Sequence, residues 1–420
     1  MISFSGTETN ANYITFNRES QLEVGRPSGV GKYVLLFIIK MLNKSKRIYL
    51  DNAATTPIDQ RVLLAMQKIA TETYGNPSSL YKEGVEAKKL LSEARKDIAE
   101  TIGANPDEII FTSGGTESNN LAIFGMVREP KNAHIIVSSV EHASVLECVK
   151  ELEKRGAEIT HLPVNGDGIV SVKDVREAIK ENTVLVSVMY ANNEIGTIQP
   201  ISEIAKIIRH SKSRPIFHTD ACQAVNYLDM NVLHLGVDLM TFNASKIYGP
   251  KGVGALFVKR GIKISPILFG GGQEKGIRSG TENVSGVKGF AEAMKITEEL
   301  KEKESARLTK LRDFFIKELV KKIPSALLNG SRENRLPNNV NISISGTDAE
   351  ELVIILDAHG IACSTGSACA NISADGKVSH VVEALGFGRN RAASSLRFTL
   401  GRETKEEDLV FVLKEFSNLF

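Results

Sequence analysis

The sequence predicts an α/β fold, with a mainly parallel sheet covered by helices on both faces. Three observations predict it. Short β-branched runs alternate with helical patterns through the middle of the chain, which is the sequence form of repeated strand–helix–strand units. The polar residues that could carry chemistry fall just after these runs, so they converge on one rim of such a sheet. At 420 residues, with 42% hydrophobic and 24% charged residues, the chain is long enough for two or three domain cores of ordinary soluble composition.

In chain order, residues 1–45 are first polar, then briefly apolar, and read as an N-terminal extension without regular order; GRPSGVGK within it lacks the spacing of a phosphate-binding loop. Arg47 to Leu50 is the first segment with a strand-like pattern. From Glu83 to Ile102, apolar residues recur at Ala87, Leu90, Leu91, Ala94, Ile98 and Ile102, which marks one face of a helix. Strands are then expected at 108–113, 134–139, 158–163, 183–190 and 215–219, with helices at 117–127, 143–155, 172–180 and 201–211. Ser171 is placed to cap a helix start and Gly156 a helix end. A further strand is expected from Asp238 to Asn243, and a charged helix from Glu292 to Lys322 bridges to a smaller unit. That unit reads as a strand (339–344), a helix (349–359), a loop around Cys369, a helix (378–385), a strand (395–399) and a last helix from Glu403.

A net charge of +2 gives no electrostatic reason to expect nucleic acid. The apolar run Val34 to Leu42 is broken by Lys40 and falls short of the ~20 residues a membrane-spanning helix needs. No membrane anchor or secretory signal is therefore expected. Four cysteines, Cys148, Cys222, Cys363 and Cys369, are too few and too unevenly spaced for a disulfide framework or a zinc site, which fits a reducing cytoplasm and no metal.

The chemistry centres on residues 215–252. Asp220 stands at the end of a strand, and Lys246 follows the next strand in a turn of Ser, Tyr, Gly and Pro. A lysine can form a Schiff base with an aldehyde cofactor, and a carboxylate can keep a pyridine nitrogen protonated so that the ring draws electrons from a carbanion. Taken alone, one Asp and one Lys are more simply solvated charges. SGGTESNN (113–120) could cradle a phosphate on helix-start N–H groups, or form a turn capped by Thr116. His142 could stack on a ring and carry protons, or cap and pack. Asn193 is an amide donor or part of a polar turn, and 270–283 is too glycine-rich for regular structure, its plainer reading being a mobile surface loop. Cys369 sits among small residues that leave sulfur accessible, with no Lys, Arg or His beside it to form a thiolate. The other three cysteines read as packing residues. Arg397 suits a substrate carboxylate or pairs with a surface acid.

Ten segments in one order carry a resemblance: YLDNAATTP, YGNPSS, FTSGGTESNN, VEHASV, ANNEIGTIQP, FHTDACQA, SKIYGPKGVGAL, GGGQEKGIRSGTEN, STGSAC and SLRFTLGR. From about Arg47 to about Thr404 the chain resembles cysteine desulfurases of the NifS and IscS type, within the class V aminotransferase-like enzymes. The resemblance implies a fold-type I PLP-dependent transferase, with a large mainly parallel sheet domain (61–302) and a smaller α/β domain (46–60 and 303–420) that carries the cysteine loop. It implies pyridoxal 5'-phosphate (PLP) as cofactor, L-cysteine as substrate, a homodimer, and a sulfur-accepting protein such as an iron-sulfur scaffold as partner. It further implies that Lys246 forms the Schiff base, Asp220 faces the pyridine nitrogen, Gln223 contacts the ring hydroxyl and His142 stacks over the ring. Gly115 and Thr116 would hold the phosphate, joined by Thr281 from the other subunit. Asn193 and Arg397 would hold the substrate carboxylate, and Cys369 would accept sulfur. The family often has Ser-Gly-His before the lysine. Here Asn243, Ala244 and Ser245 stand instead, and Asn243 and Ser245 are the phosphate contacts expected.

The reaction expected is removal of sulfur from L-cysteine to leave L-alanine and a persulfide on Cys369, with Lys246 taking the α-proton and His142 managing protons near the sulfur. Three alternatives are separable. A selenocysteine lyase would prefer the selenium substrate, a class V aminotransferase would need a keto acid, and a non-catalytic sulfur carrier would show no PLP absorbance.

Overall fold

Strand and helix boundaries follow local chemistry closely. The computed structural model describes residues 47–365 and 378–420; the expected N-terminal extension and Cys369 lie outside the described residues. The elements in order are β1 (Ile48–Tyr49), α1 (Gln60–Glu72), α2 (Lys82–Thr101), β2 (Ile109–Thr112), α3 (Gly115–Met126), β3 (His134–Ser138), α4 (Ala143–Lys154), β4 (Glu158–Leu162), α5 (Val172–Ala178), β5 (Thr183–Ser187), α6 (Ile201–His210), β6 (Ile216–Asp220), α7 (Val232–Leu235), β7 (Leu239–Asn243) and β8 (Gly254–Val258). There follow α8 (Val284–Lys322), β9 (Ala326–Leu328), β10 (Asn339–Ile344), α9 (Ala349–Ala358), β11 (Ile361–Ala362), α10 (His380–Ala384), α11 (Arg389–Ala393), β12 (Ser395–Thr399) and α12 (Glu406–Ser417).

The central sheet has seven strands in the order β2-β8-β7-β6-β5-β3-β4. The pairs β3–β4, β3–β5, β5–β6 and β6–β7 are parallel. The strand β8, which the sequence pattern did not reveal, runs antiparallel between β7 and β2. Parallel strands buried on both faces need apolar side chains on both, and β3 and β7 are buried along their whole length. The parallel strands β3 to β7 all end at the same edge of the sheet.

Several helix starts are chemically legible. Ser171 accepts the Asp174 N–H as the cap of α5, as expected. The helix α3 begins earlier than expected, with Gly114 as its cap, so Thr116 lies in the first turn rather than at the cap. At the end of α4 the cap residue is Arg155, and Gly156 follows it at φ 100°, a conformation that favours glycine. The helix α8 starts at Val284 rather than Glu292 because the Asn283 side chain accepts the Gly286 N–H.

Two buried clusters are built on either side of this helix's length. One gathers Val62, Ile98, Phe217, Phe242 and Phe290 against the seven-stranded sheet. The other gathers Leu50, Phe315, Val340, Leu356, Phe398 and Phe416 around the antiparallel sheet β12-β10-β9. Its aromatic rings meet edge to face, Phe315 with Phe398 at 5.5 Å and Phe398 with Phe416 at 5.9 Å between centroids. The 39-residue α8 contributes Phe290 and Met294 to the first and Leu308, Phe315 and Leu319 to the second. No described helix is long and apolar enough to cross a membrane.

Candidate active site

The carboxyl ends of the parallel strands open into a cavity of about 450 Å³. Ten of the expected site residues line it: Gly115, Thr116, His142, Asn193, Asp220, Gln223, Asn243, Ser245, Lys246 and Arg397. Thr281 is exposed and does not line the cavity formed by its own chain. Among the described residues no cluster of three or more metal-binding side chains occurs.

Asp220 ends β6 and is nearly buried. Its Oδ1 accepts the Cys222 N–H at 2.9 Å, and its Oδ2 accepts from Asn119 Nδ2 at 2.7 Å. The same Asn119 amide donates to Ser144 Oγ at 2.8 Å. Ser144 in turn meets His142, its backbone N–H donating to His142 Nδ1 at 3.1 Å and its hydroxyl lying 2.8 Å from that nitrogen. A nitrogen that accepts a backbone N–H carries no proton, so the neutral ring of His142 bears its hydrogen on Nε2. Burial keeps the His142 pKa below the usual imidazole range; the Asp220 charge opposes that shift and the Lys246 charge assists it. His142 therefore both caps α4 and lines the cavity.

Lys246 closes a 3₁₀ turn, Ala244–Lys246, that follows directly on β7. The turn is braced from the N-terminal side of the chain. Thr56 N–H donates to Ser245 O at 3.0 Å, Asn226 Nδ2 to Lys246 O at 2.7 Å, and Lys246 Nζ to Ala54 O. Two residues on, Tyr248 is held at φ 63° with its N–H on Thr56 Oγ1 at 2.7 Å and the Arg402 guanidinium 4.0 Å from its ring centroid. Such a backbone conformation is costly for a tyrosine and persists only where the surroundings enforce it.

The start of α3 lines the cavity and could hold an anion there. The first-turn N–H groups of a helix have no acceptors within the helix, and Gly115 is packed so closely that a Cβ there would lie 2.8 Å from Cys222 Sγ and 3.1 Å from Asn243 Nδ2. Asn243 donates to Cys222 Sγ at 3.3 Å, and Ser245 Oγ lies 3.4 Å from Asn243 Oδ1. Cys222 is buried, as a packing residue should be, yet it also lines the cavity. Burial raises its thiol pKa well above the ordinary value, which makes it an inert wall rather than a nucleophile.

Arg397 of β12 is 4% exposed, which excludes the surface ion pair as its setting. It donates to Asp51 Oδ1 at 2.7 Å and to Asn193 O at 3.0 Å, while its buried Nε has no partner among the described residues. The buried side-chain oxygen of Asn193 is likewise without one. The open guanidinium N–H suits a carboxylate, and the Asn193 amide would do so with its Nδ2 rather than its Oδ1 turned toward it. With the Arg397 guanidinium, the helix-start N–H groups and Lys246 all lining one cavity, the donor set fits PLP and an amino acid substrate.

The glycine-rich segment 270–283 departs from the surface-loop expectation at one point. Glu274 is 6% exposed and clamps Arg95 with both carboxylate oxygens, one at 2.8 Å, while accepting the Phe111 N–H at 2.9 Å. Several polar residues at or behind the cavity escaped the sequence reading. Asn119 was visible in principle, since it lies three residues after Thr116 and hence on the same helix face. Glu194 and His380 also line the cavity, and Glu141 lies fully buried behind it, its Oε1 bonded to Ser138 Oγ at 2.5 Å and Met189 N at 2.6 Å. Burial pushes the Glu141 pKa up to about 8 and raises that of Glu194.

The aminotransferase class-V family model matches residues 48–412. The chain belongs to the class-V aminotransferase family. Within it, the chain is 49% identical over 370 residues to the cysteine desulfurase IscS of Dictyoglomus turgidum, covering 88% of this chain and 93% of that protein. It is 46% identical over 363 residues to cysteine desulfurase IscS 1 of Archaeoglobus fulgidus, covering 86% and 94% respectively. A solved structure described as a NifS-like protein superposes with TM-score 0.84 at 35% identity, covering 89% of this chain and 99% of that one. Another, SspA in complex with cysteine, gives TM-score 0.73 at 33% identity, covering 84% and 99%. The mainly parallel sheet is thus that of a class-V enzyme.

Proposed function

We propose a division of labour among the cavity residues of this chain, which is a PLP-dependent cysteine desulfurase. The observation that carries the reading is that Lys246, Asp220 and Arg397, far apart in sequence, line one cavity. When bound, PLP supplies an electron sink for the carbon that bears the substrate amine. Asp220 holds the pyridine nitrogen protonated, with its own carboxylate fixed by Asn119 and the Cys222 N–H. Gln223 would contact the ring hydroxyl, and His142 would stack on the ring. Gly115, Thr116, Asn243 and Ser245 hold the phosphate, joined by Thr281 of the partner subunit in a homodimer. Arg397 and Asn193 orient the substrate carboxylate, so that the α-proton faces Lys246 Nζ, the base that removes it. His142 offers Nε2–H to the reacting groups.

Cys369 receives the sulfur as a persulfide and passes it to an accepting protein such as an iron-sulfur scaffold in a reducing cytoplasm. We assign 61–302 to a large cofactor-binding domain and 46–60 with 303–420 to a small one, a division supported by the two separate buried clusters.

Incubation with L-cysteine should yield L-alanine and one sulfane sulfur on Cys369, detected by mass analysis. With a thiol reductant added to reduce the persulfide, Cys369→Ala should abolish sulfide release, and release at the wild-type rate would remove the nucleophile assignment. Lys246→Ala should retain PLP without turnover. A molar mass in solution equal to one chain would refute the homodimer and the role given to Thr281.

A further inference from the structure

His380 stands at the first position of α10 and lines the cavity. Its Nε2 lies 3.0 Å from the carbonyl oxygen of Glu141. A carbonyl only accepts, so Nε2 carries the hydrogen, and in the neutral ring Nδ1 is left as a lone pair with no partner among the described residues. The residue is held there from two sides. Ser379 caps α10 and donates its hydroxyl to the buried Glu194, and Glu141 is anchored by Ser138 and Met189.

The two cavity histidines therefore offer opposite hydrogen-bonding roles. His142 has its acceptor nitrogen occupied by Ser144 and presents a donor. His380 has its donor occupied by Glu141 and presents an acceptor. Three other charged groups of the lining are already held: Asp220 by Asn119 and Cys222, Arg397 in part by Asp51, and Glu117 by Arg278.

We propose that His380 Nδ1 accepts the S–H of the substrate L-cysteine, orienting its sulfur and selecting a protonated thiol. The inference rests on the desulfurase reading above. A thiol is a weak donor, and a neutral hydrogen bond of this kind changes kcat/KM about three- to tenfold. The selenol of selenocysteine is more acidic and is ionised near neutral pH, so it has no proton to offer and gains nothing from this nitrogen. L-alanine has no side-chain donor at all.

Two variants separate this role from a structural one. His380→Gln keeps an N–H in reach of the Glu141 carbonyl but removes the Nδ1 acceptor. His380→Asn places an amide oxygen near the Nδ1 position but loses the tie to Glu141. With the PLP-loaded enzyme, His380→Gln should lower kcat/KM for L-cysteine about three- to tenfold. It should leave both kcat/KM for L-selenocysteine and the L-alanine dissociation constant, read from the PLP absorbance, within about twofold, a change of under half a kcal/mol. His380→Asn should recover part of the loss on L-cysteine. Equal losses on both substrates, or an active Gln variant beside an impaired Asn variant, would overturn the role of His380 and leave the desulfurase reading intact. Failure of the wild-type protein to make alanine would overturn the desulfurase reading itself.

Discussion

Replacing Glu141 by glutamine should make the protein more stable, increasingly so as pH rises. Glu141 is fully buried; Oε1 takes two hydrogen bonds and Oε2 has no partner among the described residues. Burial raises its folded pKa from 4.5 to about 8, with the Asp220 charge assisting. The sign follows directly. Between those two values the unfolded chain has lost the proton while the folded chain keeps it, so unfolding releases a proton and stability falls as pH rises. The loss is complete only above the folded value, where it would total about 5 kcal/mol. Near pH 6 the wild type has lost about 2 kcal/mol on this account, and near pH 8 about 4 kcal/mol. Glutamine keeps an oxygen for Ser138 and Met189 and leaves a polar NH₂ where the protonated acid leaves a polar OH, so the uncharged forms are close in energy. Unfolding free energies of wild type and Glu141→Gln from urea titrations should therefore differ by about 1 kcal/mol near pH 5 and by about 4 kcal/mol near pH 8. Other titrating groups are common to both proteins and cancel in the difference. Parallel curves would refute the reasoning.

Three further outcomes are expected. Gly115→Ala should weaken PLP binding, read as a higher cofactor dissociation constant, because the new methyl would lie 2.8 Å from Cys222 Sγ; adding Cys222→Ala should restore part of the affinity. Glu274→Ala should destabilise the protein by about 3–5 kcal/mol in urea unfolding, since the Arg95 side chain is only 16% exposed and would lose its carboxylate partner. Asn119→Ala removes the donor shared by Asp220 and Ser144, and should lower kcat/KM about tenfold or more, with a shifted PLP absorbance band as the spectroscopic check.

The parallel strands were legible because each is a short β-branched run between helix patterns, and burial on both faces demands that composition. GALFV, the strand β8, is equally apolar, but it sits behind the turn YGPKGV and pairs antiparallel with β7 and β2, so the strand–helix alternation gave no cue to it. The helix α1 was missed although Val62, Met66 and Ile69 fall at helical spacing; of its thirteen residues only Val62 is buried. Among site residues, Asp220, His142 and Lys246 stood out because each follows a strand. Asn119, Glu141 and His380 did not, because their roles depend on hydrogen bonds that link α3 to β6 and α10 to the β3–α4 turn. Such links between distant segments have no local spacing to read.

Arg397 shows why a charge inside an apparent strand can be a site rather than a surface. In β12 the side chains of Leu396 and Phe398 enter the second core, as do Val340, Ile342 and Ile344 of β10, so the period of two puts Ser395, Arg397 and Thr399 on the other face. Their register partners are Ser343, Asn341 and Asn339. That face is buried too, yet polar throughout. Asn339 and Asn341 both donate to Glu194 O, at 2.9 and 3.1 Å, while Asn341 Oδ1 accepts from Asn329 and Ser395 and Thr399 Oγ1 accepts the Ala53 N–H. A seam of matched polar groups fixes position more narrowly than apolar packing does, because each donor left without its acceptor costs about 1–3 kcal/mol. The seam joins the strand that carries Arg397 to the Asn192–Glu194 turn, which supplies the other group at that end of the cavity. The distance between Arg397, the proposed carboxylate anchor, and Lys246 is therefore set by a hydrogen-bonded sheet face, and an apolar substitution at Asn341 would strand the Ser395 hydroxyl while taking one bond each from Glu194 O and Asn329.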